Sequence, residues 1–413
     1  MSLKLTKTNS RKVNCILNHA DKFTFQFLLL VVIKYDIYPL LNKTTLTDTA
    51  IEDIVSRFRI QGTVITARPF GSGHINDTFR IVTNTGNNYL LQKINHFVFR
   101  NVAGLMNNLV NVTRHLKEKI KAIPGSDPEK EVLTLVENNN NGYYIEDAGG
   151  NYWRVFIFLN NTKSYDQVLT EKQAFEGGKA FGRFQALLAD LDTKLIVDTI
   201  PNFHNIEFRL SNMDKAIAAD STQRLNKVSA EIEFINLHRE EMNTVLQLGR
   251  AGVLPERIIH YDTKFNNVLL DEHDHVQCVI DLDTVMPGYI AYDFGDAIRT
   301  IINSAPEDEP ELDLIKLNIP LFTAYTKGYL KQTTNFLTEA EVNSLVNGVL
   351  LLPYMQAVRF LTDYLNGDIY YKIHSPWHNL QRTKAQIQLF KKLADAKETL
   401  DGIILKTWRH EIQ

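Results

Sequence analysis

Two kinds of hydrophobic pattern divide the chain near residue 160. From Thr63 to Leu159, short runs of β-branched and aromatic residues alternate with turn signals, which is typical of antiparallel strands. The predicted strands read VITARPF (64–70), TFRIVT (78–83), YLLQKI (89–94), VLTLVE (132–137), YYIED (143–147) and YWRVFIFL (152–159). One segment with helical spacing, from about Asn101 to Lys121, interrupts them. The pattern predicts a small α+β region.

Helical spacing of apolar residues dominates the second half. The predicted helices cover residues 171–191, 205–219, 224–250, 310–331 and 338–365. Two apolar runs read as short strands inside this half, VLL (268–270) and QCVIDL (277–282). We therefore predict an α+β fold with two lobes that join near residues 158–161. Residues 47–160 form a first lobe with a small antiparallel sheet, and residues 161–413 form a second, mostly helical lobe.

Composition and charge limit the class of protein. The 413 residues are 44% apolar and 23% charged, as in an ordinary soluble globular protein. The formal net charge is −3 with no long basic run, so nothing in the charge supports nucleic-acid binding. Two cysteines, Cys15 and Cys278, are too few for a disulfide framework, which fits a reducing compartment. We expect a cytoplasmic protein, and the oligomeric state stays open.

Residues 1–46 form a predicted N-terminal extension of unknown role. Its apolar stretch FTFQFLLLVVI, residues 23–33, is too short to span a bilayer. No small-residue cleavage site follows it. We therefore expect no membrane span and interpret the stretch as a segment that packs on the body, with a targeting role as the alternative.

A cluster of polar residues in the second half points to phosphoryl transfer. The stretch HYDTKFNN (260–267) contains the pattern H-x-D-x-x-x-x-N, and Asp281 ends the following apolar run. Phosphoryl transfer needs a base that orients the acceptor hydroxyl, and oxygen ligands that hold Mg²⁺ against nucleotide phosphates. We assign Asp262 as the base and His260 as a brace of the loop backbone. Asn267 and Asp281 are the predicted metal ligands.

Asp283 lies two residues after Asp281, on a segment expected to be extended. Both carboxylates would then face the same side. Asp283 is either a second metal contact or an acceptor for substrate hydroxyls, and we prefer the second role. A cap or a local salt bridge is the structural alternative.

A glycine pair in the first half provides a matching phosphate site. Gly71-Ser72-Gly73 joins two predicted strands, and its glycines let backbone N–H groups approach phosphate oxygens. Lys93 ends YLLQK on the second strand after this loop, where a kinase lysine reaches the α and β phosphates. A plain hairpin turn and a solvated lysine are the structural alternatives. No Walker pattern G-x-x-x-x-G-K-[ST] occurs.

These motifs follow the order of a bilobal kinase, and the chain resembles the aminoglycoside phosphotransferase and choline kinase superfamily. Within it, the chain is most similar to the N-acetylhexosamine 1-kinases. The blocks that carry this likeness are GSGHIND (71–77), YLLQKIN (89–95), VTRHL (112–116), AFGRFQALLADL (180–191), IPNFHN (200–205), HYDTKFNN (260–267), VIDLDTVMPG (279–288) and RFLTDYLNGDIYYKI (359–373). They extend from about residue 60 to residue 400.

The resemblance implies a protein-kinase-like fold, with nucleotide bound by the first lobe and a sugar by the second. It implies ATP and Mg²⁺, and transfer of a phosphoryl group to the anomeric hydroxyl of N-acetylglucosamine or N-acetylgalactosamine. Asp262, Asn267, Asp281 and Lys93 keep the roles given above. The positions that match sugar contacts are His74, Asp283, Arg359 and Tyr370.

One departure from kinases leaves alternatives open. Residues 97–117 contain no acid that could pair with Lys93 from the following helix, and Glu118 is the first one. Lys93 is then held by Asp77 or by the phosphates, or its role is weaker. A kinase for another sugar, an amino alcohol or an aminoglycoside is the second hypothesis, and a non-catalytic binding protein the third. Cationic acceptors need clustered acids, but the run at 307–309 is interpreted as a solvated loop.

Overall fold

The computed structural model describes residues 48–71 and 75–412. The predicted site residues Gly73 and His74 lie outside the described residues, and so does the N-terminal extension with its apolar stretch. The chain divides into two compact units, residues 1–51 and 52–413. The second unit contains all the features discussed below, and the lobe boundary near residue 160 stays a prediction.

Five strands form one antiparallel sheet in the order β1-β2-β3-β5-β4. Their bounds are β1 (Val64–Pro69), β2 (Asp77–Thr83), β3 (Asn88–Ile94), β4 (Ile145–Glu146) and β5 (Tyr152–Ile157). Four of them coincide closely with predicted strands, because alternating residues bury one side chain in two. With the mostly helical remainder, the sheet confirms the predicted α+β fold class.

Two predicted strands are wrong in extent. Residues 132–137 form no strand and contribute a single bridge, between Leu135 and Phe156. The strand predicted at 143–147 shortens to the two residues of β4. Between them, the Asn138 side chain accepts hydrogen bonds from the N–H groups of residues 140 and 142. Local bonds of this kind compete with a strand ladder and turn the chain.

Helices account for most of the remaining chain. They are α1 (Asp48–Ser56), α2 (Val102–Lys121), α3 (Pro128–Glu131), α4 (Glu171–Leu188), α5 (Ile206–Ala219), α6 (Ser229–His238), α7 (Thr244–Arg250), α8 (Ile290–Ile301), α9 (Ile319–Thr333), α10 (Glu339–Leu365), α11 (His378–Asp395) and α12 (Lys397–Glu411). Short strand pairs join β6 (Arg257–Ile259) to β9 (Met286–Gly288), and β7 (Val268–Leu270) to β8 (Val276–Val279).

The predicted helices at 205–219 and 338–365 match α5 and α10 closely. The prediction at 224–250 merged α6 and α7, which single 3₁₀ turns separate. The prediction at 310–331 began too early, because α9 starts at Ile319 with a proline in its first turn. Helices α8, α11 and α12 were not predicted.

Glycines let the helices of the second half approach one another closely. A Cβ at Gly178 of α4 would overlap the carbonyl oxygen of Tyr325 in α9. A Cβ at Gly348 of α10 would overlap the carbonyl oxygen of Ala291 in α8. The helices therefore pack backbone against backbone, and the resulting rigid core carries the strand ends of β6 and β8.

A second apolar cluster fixes the segment that follows β8. Leu282 and Val285 are buried against residues of α2 and the C-terminal part of α4. Their partners include Leu105, Leu109, Phe184 and Leu188. This packing holds Asp281 and Asp283 between the helical core and the five-stranded sheet.

Helix α10 is, within the described part of the chain, the one helix long and apolar enough to cross a membrane by length and composition. Of its most apolar window, 78% is buried inside the protein. A capping box formed by Thr338 and Glu341 starts the helix. Such burial is that of a core helix and does not indicate a membrane span.

Candidate active site

One buried carboxylate holds the loop that follows β6. Asp293 of α8 is 1% exposed, and its oxygens accept hydrogen bonds from the backbone N–H groups of His260 (2.8 Å) and Tyr261 (2.7 Å). Gln185 Nε2 donates to the same carboxylate at 2.8 Å. Tyr261 has a φ of 66°, a strained value for a bulky residue, which persists only when its surroundings impose it. Asp293 therefore fixes the turn before the predicted base.

Asp262 presents an ionised, partly exposed carboxylate. Lys264 Nζ lies 3.0 Å from Oδ1, and 26% of the Asp262 side chain is exposed. Asn267 Nδ2 donates to Oδ2 at 3.2 Å and to the Asp262 carbonyl at 2.9 Å. Burial raises the pKa of Asp262, but the charge of Lys264 and its hydrogen bond, with the charge of Arg299, outweigh burial and hold that pKa below its usual value. The carboxylate can therefore accept a hydrogen bond from a hydroxyl at neutral pH.

His260 is fully buried and contacts backbone only through its ring nitrogens. Its Nδ1 accepts from the Asp262 N–H at 3.3 Å, and its Nε2 lies 2.9 Å from the Ile280 carbonyl. Because Nδ1 is an acceptor, the proton sits on Nε2 and is donated to Ile280. The ring therefore links the backbone of the Asp262 loop to the backbone at the end of β8. This position fits the predicted role of His260 as a brace of the loop.

The extended backbone expected between Asp281 and Asp283 is wrong. Strand β8 ends at Val279, Asp281 has left-handed φ and ψ of 59° and 54°, and residues 282–284 form one 3₁₀ turn. Since the alternation rule holds only for extended chain, it does not place the two carboxylates. A carboxylate in this region tolerates the left-handed conformation better than a bulky side chain does.

Asp283 forms a buried ion pair with the sheet. Arg154 of β5 places Nη1 2.7 Å from Oδ1 and donates from Nη2 to Oδ2 at 2.8 Å. Asn76 Nδ2 also donates to Oδ2, at 2.8 Å, and the residue is 2% exposed. The salt bridge named as the structural alternative is therefore present, and a role of Asp283 toward substrate stays a prediction.

Asp281 lies in a surplus of negative charge. Burial, followed by the charges of Asp283 and Asp262, raises its pKa to about 7. Both hydrogen bonds donated by the Asn267 amide go to Asp262, which leaves the Asn267 amide oxygen as an acceptor. A carboxylate and an amide oxygen of this kind suit a hard cation.

Among residues 48–71 and 75–412, no group of three or more His, Cys, Asp and Glu side chains is arranged to hold a metal ion. Mg²⁺ does not require such a cage, because it keeps waters and substrate phosphate oxygens beside one or two protein ligands. The donor set of Asn267 and Asp281 therefore fits Mg²⁺ held together with a nucleotide, and the assignment stays a prediction.

Lys93 lies on the opposite face of the sheet from Arg154. Lys93 is level with Trp153 in the strand register, and its Nζ lies 5.9 Å from that ring centroid. The neighbouring Gln92 is level with Arg154, and its Oε1 accepts from Arg154 Nε (3.0 Å) and Nη2 (2.8 Å). Successive strand residues face opposite sides, so Gln92 is the residue of β3 that faces Asp283. Lys93 therefore faces away from Asp283, and its nucleotide role stays a prediction.

Gly71, the described member of the glycine pair, follows β1 with a φ of 80°. This left-handed conformation favours glycine over other residues. A Cβ built there meets nothing within 4 Å. The conformation fits the predicted turn, and the phosphate contact stays a prediction.

The structure brings together Arg359 and Tyr370, two of the predicted sugar contacts. Tyr370, which is 66% exposed, is one of the tyrosines that raise the pKa of the Arg359 guanidinium. The guanidinium carbon of Arg359 lies 5.5 Å from the ring centroid of Phe203 and 5.6 Å from that of Tyr371. The Phe203 ring is in turn 5.9 Å from that of Tyr261, beside Asp262. Arginine and aromatic rings thus lie near the predicted base.

Asp363 of α10 shapes the loop that carries Tyr370. Its Oδ1 accepts from the backbone N–H groups of Ile369 (3.0 Å) and Tyr370 (2.8 Å). Its Oδ2 accepts from the N–H of Tyr371 (2.9 Å) and from Asn379 Nδ2 (2.8 Å). Since this carboxylate is buried, it fixes three consecutive backbone groups of the loop.

The loop at 307–309 is partly exposed, as interpreted, but two of its acids also have partners within the protein. Glu307 Oε1 accepts from Arg299 Nη1 at 2.6 Å. Asp308 Oδ2 lies 2.8 Å from His378 Nε2. Glu307 is therefore ion-paired with an arginine, and Asp308 is hydrogen-bonded to an imidazole.

Sequence reasoning missed Asp293, Arg154 and Lys264. Asp293 begins an Asp-Phe-Gly tripeptide, the letters of the protein-kinase metal motif, yet it lies in α8 and holds the loop. Lys264 lies two residues after the predicted base, and this short spacing could have indicated its ion pair with Asp262. Arg154 carried none, because its pairing with Asp283 joins residues 129 positions apart.

Comparison with known proteins defines the class. The family model described as APH, phosphotransferase enzyme family, matches residues 66–327, more than half of the chain. The chain therefore belongs to the APH phosphotransferase family, enzymes that act on hydroxyl acceptors.

Three solved structures share the fold. The aminoglycoside phosphotransferase of Alicyclobacillus acidocaldarius superposes with a TM-score of 0.56 at 12% identity, covering 90% of this chain and 99% of that one. Amicoumacin kinase hAmiN, in complex with AMP-PNP, Ca²⁺ and Ami, gives 0.54 at 12% identity, covering 86% and 95%. Choline kinase of Cryptosporidium parvum Iowa II gives 0.51 at 13% identity, covering 89% and 100%.

Proposed function

We propose that this phosphotransferase moves the γ-phosphoryl group of ATP to the anomeric hydroxyl of an N-acetylhexosamine, with Mg²⁺ as the metal ion. The surroundings of Asp262 provide the main support for this proposal. This ionised carboxylate lies near a cluster that contains Arg359, Tyr370 and Phe203, which we call the acceptor side.

The chemistry of the acceptor side fits a sugar. A guanidinium donates to hydroxyl and carbonyl oxygens, and an aromatic ring packs on the apolar face of a pyranose. The neighbouring acids Glu307 and Asp308 are paired with Arg299 and His378. Beyond Asp262, the acids near the acceptor side already have partners, which favours an uncharged sugar over a cationic acceptor.

In the proposed reaction, Asp262 accepts a hydrogen bond from the anomeric hydroxyl and takes its proton. The hydroxyl oxygen bonds to the γ-phosphorus as the bond from that phosphorus to the β–γ bridging oxygen breaks. The products are ADP and the sugar 1-phosphate, and the proton leaves Asp262 for solvent. Lys264, 3.0 Å from Asp262, keeps the carboxylate ionised and oriented.

Asn267 and Asp281 would hold Mg²⁺, which neutralises charge on the nucleotide phosphates when bound. The raised pKa of Asp281 supports this placement, because its causes after burial are the charges of Asp283 and Asp262. A similar structure bound to AMP-PNP and Ca²⁺ is consistent with a nucleotide and a divalent ion.

The test is ADP release by purified protein supplied with ATP, Mg²⁺ and a panel of acceptors. We expect release with N-acetylglucosamine or N-acetylgalactosamine, and Asp262→Asn should lower turnover by about 10²–10⁴-fold. Asp190→Asn, which removes an exposed surface carboxylate, should leave turnover unchanged. Equal ADP release with and without every hexosamine would show that the acceptor is misassigned.

A kinase for an amino alcohol or an aminoglycoside is the second candidate. The family assignment and the names of similar structures, an aminopropanol kinase and a choline kinase, favour it. The same panel therefore includes choline, ethanolamine and an aminoglycoside. ADP release with one of these, and with no N-acetylhexosamine, would replace the first proposal by the second.

A further inference from the structure

Two arginines on the acceptor side lie on a shared aromatic residue. Arg209 of α5 donates from Nε (3.2 Å) and Nη2 (2.7 Å) to the carbonyl oxygen of Phe203. Arg359 of α10 lies over the ring of the same residue and donates from Nη1 to Gln356 Oε1 at 2.8 Å. In the part of the chain that the structure describes, neither guanidinium has a carboxylate within ion-pair distance.

The other groups around this pair are phenols and an imidazole. The Tyr370 ring lies 4.7 Å from that of Tyr371, and the buried Tyr371 hydroxyl, beside Arg359, has no hydrogen-bond partner. His204 is buried with an unpartnered Nδ1. Burial, then the charges of Arg359 and Arg209, hold its pKa well below 6.5, so the imidazole is neutral.

One acid whose charge acts on this pair, Glu307, is already ion-paired. Glu307 acts on Arg359 and Tyr371 through its charge, but its carboxylate accepts a hydrogen bond from Arg299 at 2.6 Å. The acceptor side therefore carries two guanidinium charges that the protein itself does not balance. A further positive charge placed beside these two guanidinium groups by a ligand is repelled, because neither of them is paired with a carboxylate.

We propose that Arg209 and Arg359 select the acceptor by charge, repelling the ammonium group of a free amino sugar and admitting the uncharged acetamido group. This inference rests on the proposed function and deepens it, because it explains why the acceptor would be an acylated hexosamine. Arg209, which the sequence resemblance did not indicate, is the specificity-determining residue. Discrimination against a like charge is a common route to specificity.

Three sugars separate charge from shape in the test. N-acetylglucosamine is uncharged with an acetamido group, glucose is uncharged without one, and glucosamine carries an ammonium group. We measure kcat/KM for each with wild-type protein, Arg209→Gln and Arg209→Lys. Arg239→Gln, which removes a surface arginine paired with Asp214, is the matched control.

In wild-type protein we expect glucosamine to react at least about tenfold less efficiently than glucose. Arg209→Gln should narrow this gap about tenfold and leave the ratio of N-acetylglucosamine to glucose unchanged. Arg209→Lys keeps the charge and should keep the gap, as should Arg239→Gln. These fold-changes correspond to one guanidinium charge acting through partly screened surroundings.

An unchanged glucosamine gap in Arg209→Gln, with active wild-type protein, would overturn charge selection and leave the proposed function standing. An equal narrowing in Arg239→Gln would overturn it as well, because the effect would then be one of total charge. Wild-type protein that phosphorylates none of the three sugars or N-acetylgalactosamine would overturn the proposed function, and this inference with it.

Discussion

The anchoring of the catalytic loop by Asp293 predicts a large effect from a single substitution. Asp293→Ala removes the acceptor of three donors, the N–H groups of His260 and Tyr261 and the Gln185 amide, at 2.7–2.8 Å. Each buried donor left without an acceptor costs about 1–3 kcal/mol. Burial disfavours the charged carboxylate and raises the pKa of Asp293, and alanine removes this unfavourable burial. We therefore expect a loss of about 3–5 kcal/mol in the free energy of unfolding.

Asp293→Asn keeps one carbonyl oxygen in place, so its loss should be nearer about 1–3 kcal/mol. The assay is urea unfolding followed by tryptophan fluorescence, with turnover measured at a temperature where every variant is folded. Turnover should fall in both variants, because the strained Tyr261 backbone loses the bonds that impose it. Asp190→Asn should stay within about 0.5 kcal/mol of wild type. An Asp293→Ala protein with wild-type stability, or with wild-type turnover, would refute the anchoring role.

Three further predictions concern the sheet, the helix packing and pH. Lys93→Ala should weaken nucleotide binding less than about tenfold (~1.4 kcal/mol), as measured by calorimetric titration, and a larger loss would contradict the inference that Lys93 faces away from the site. Arg154→Ala leaves the buried Asp283 carboxylate without its ion-pair partner. It should cost about 3–5 kcal/mol of stability, as measured by urea unfolding. Gly348→Ala should destabilise by at least about 1–3 kcal/mol because its Cβ meets backbone, while the open Gly402→Ala should gain about 0.5–1 kcal/mol. Because the pKa of His204 is lowered in the folded protein, the unfolded chain binds the extra proton first, so stability should fall as pH drops below 6.5. His204→Phe should flatten that dependence in unfolding curves measured from pH 7 to pH 5, and an unchanged slope would show that another group titrates.

The sequence predicted the elements whose stabilisation is local. The alternation of apolar and polar residues predicted β1, β2, β3 and β5. The apolar run of α10 predicted where that helix begins and ends. The strand predicted at 132–137 was wrong in extent, because its pairing with β5 is limited to hydrogen bonds of residues 134 and 136 and one bridge at Leu135. Propensity describes a residue in isolation and does not weigh how much of a segment finds a partner strand.

For the candidate site, the sequence placed the loop residues together but not their surroundings. His260, Asp262 and Asn267 are close in the chain, and the structure joins them by hydrogen bonds. The prediction of an extended segment around Asp281 was wrong, because Asp281 has a left-handed backbone, to which the alternation of strand side chains does not apply. The face of the sheet on which the Lys93 side chain lies depends on strand register. A shift of one residue in that register moves the side chain to the opposite face.

Charge balance on the acceptor side also lay beyond sequence reasoning. Glu307 looked like part of a solvated acidic run, yet it compensates the buried Arg299. Arg209 did not enter the sequence analysis, yet it shares Phe203 with Arg359. Both findings depend on contacts between residues of different elements, for which a single sequence carries no spacing rule.

Phosphorus NMR of the reaction product tests the central claim most directly. Purified protein with ATP, Mg²⁺ and N-acetylglucosamine or N-acetylgalactosamine should form a phosphate coupled to the anomeric proton, in equal amount to ADP. Asp262→Asn should form it at least about 100-fold more slowly while remaining folded. ADP formed without a sugar phosphate, or a phosphate on any other hydroxyl, would contradict the assignment of Asp262 as the base for an anomeric acceptor.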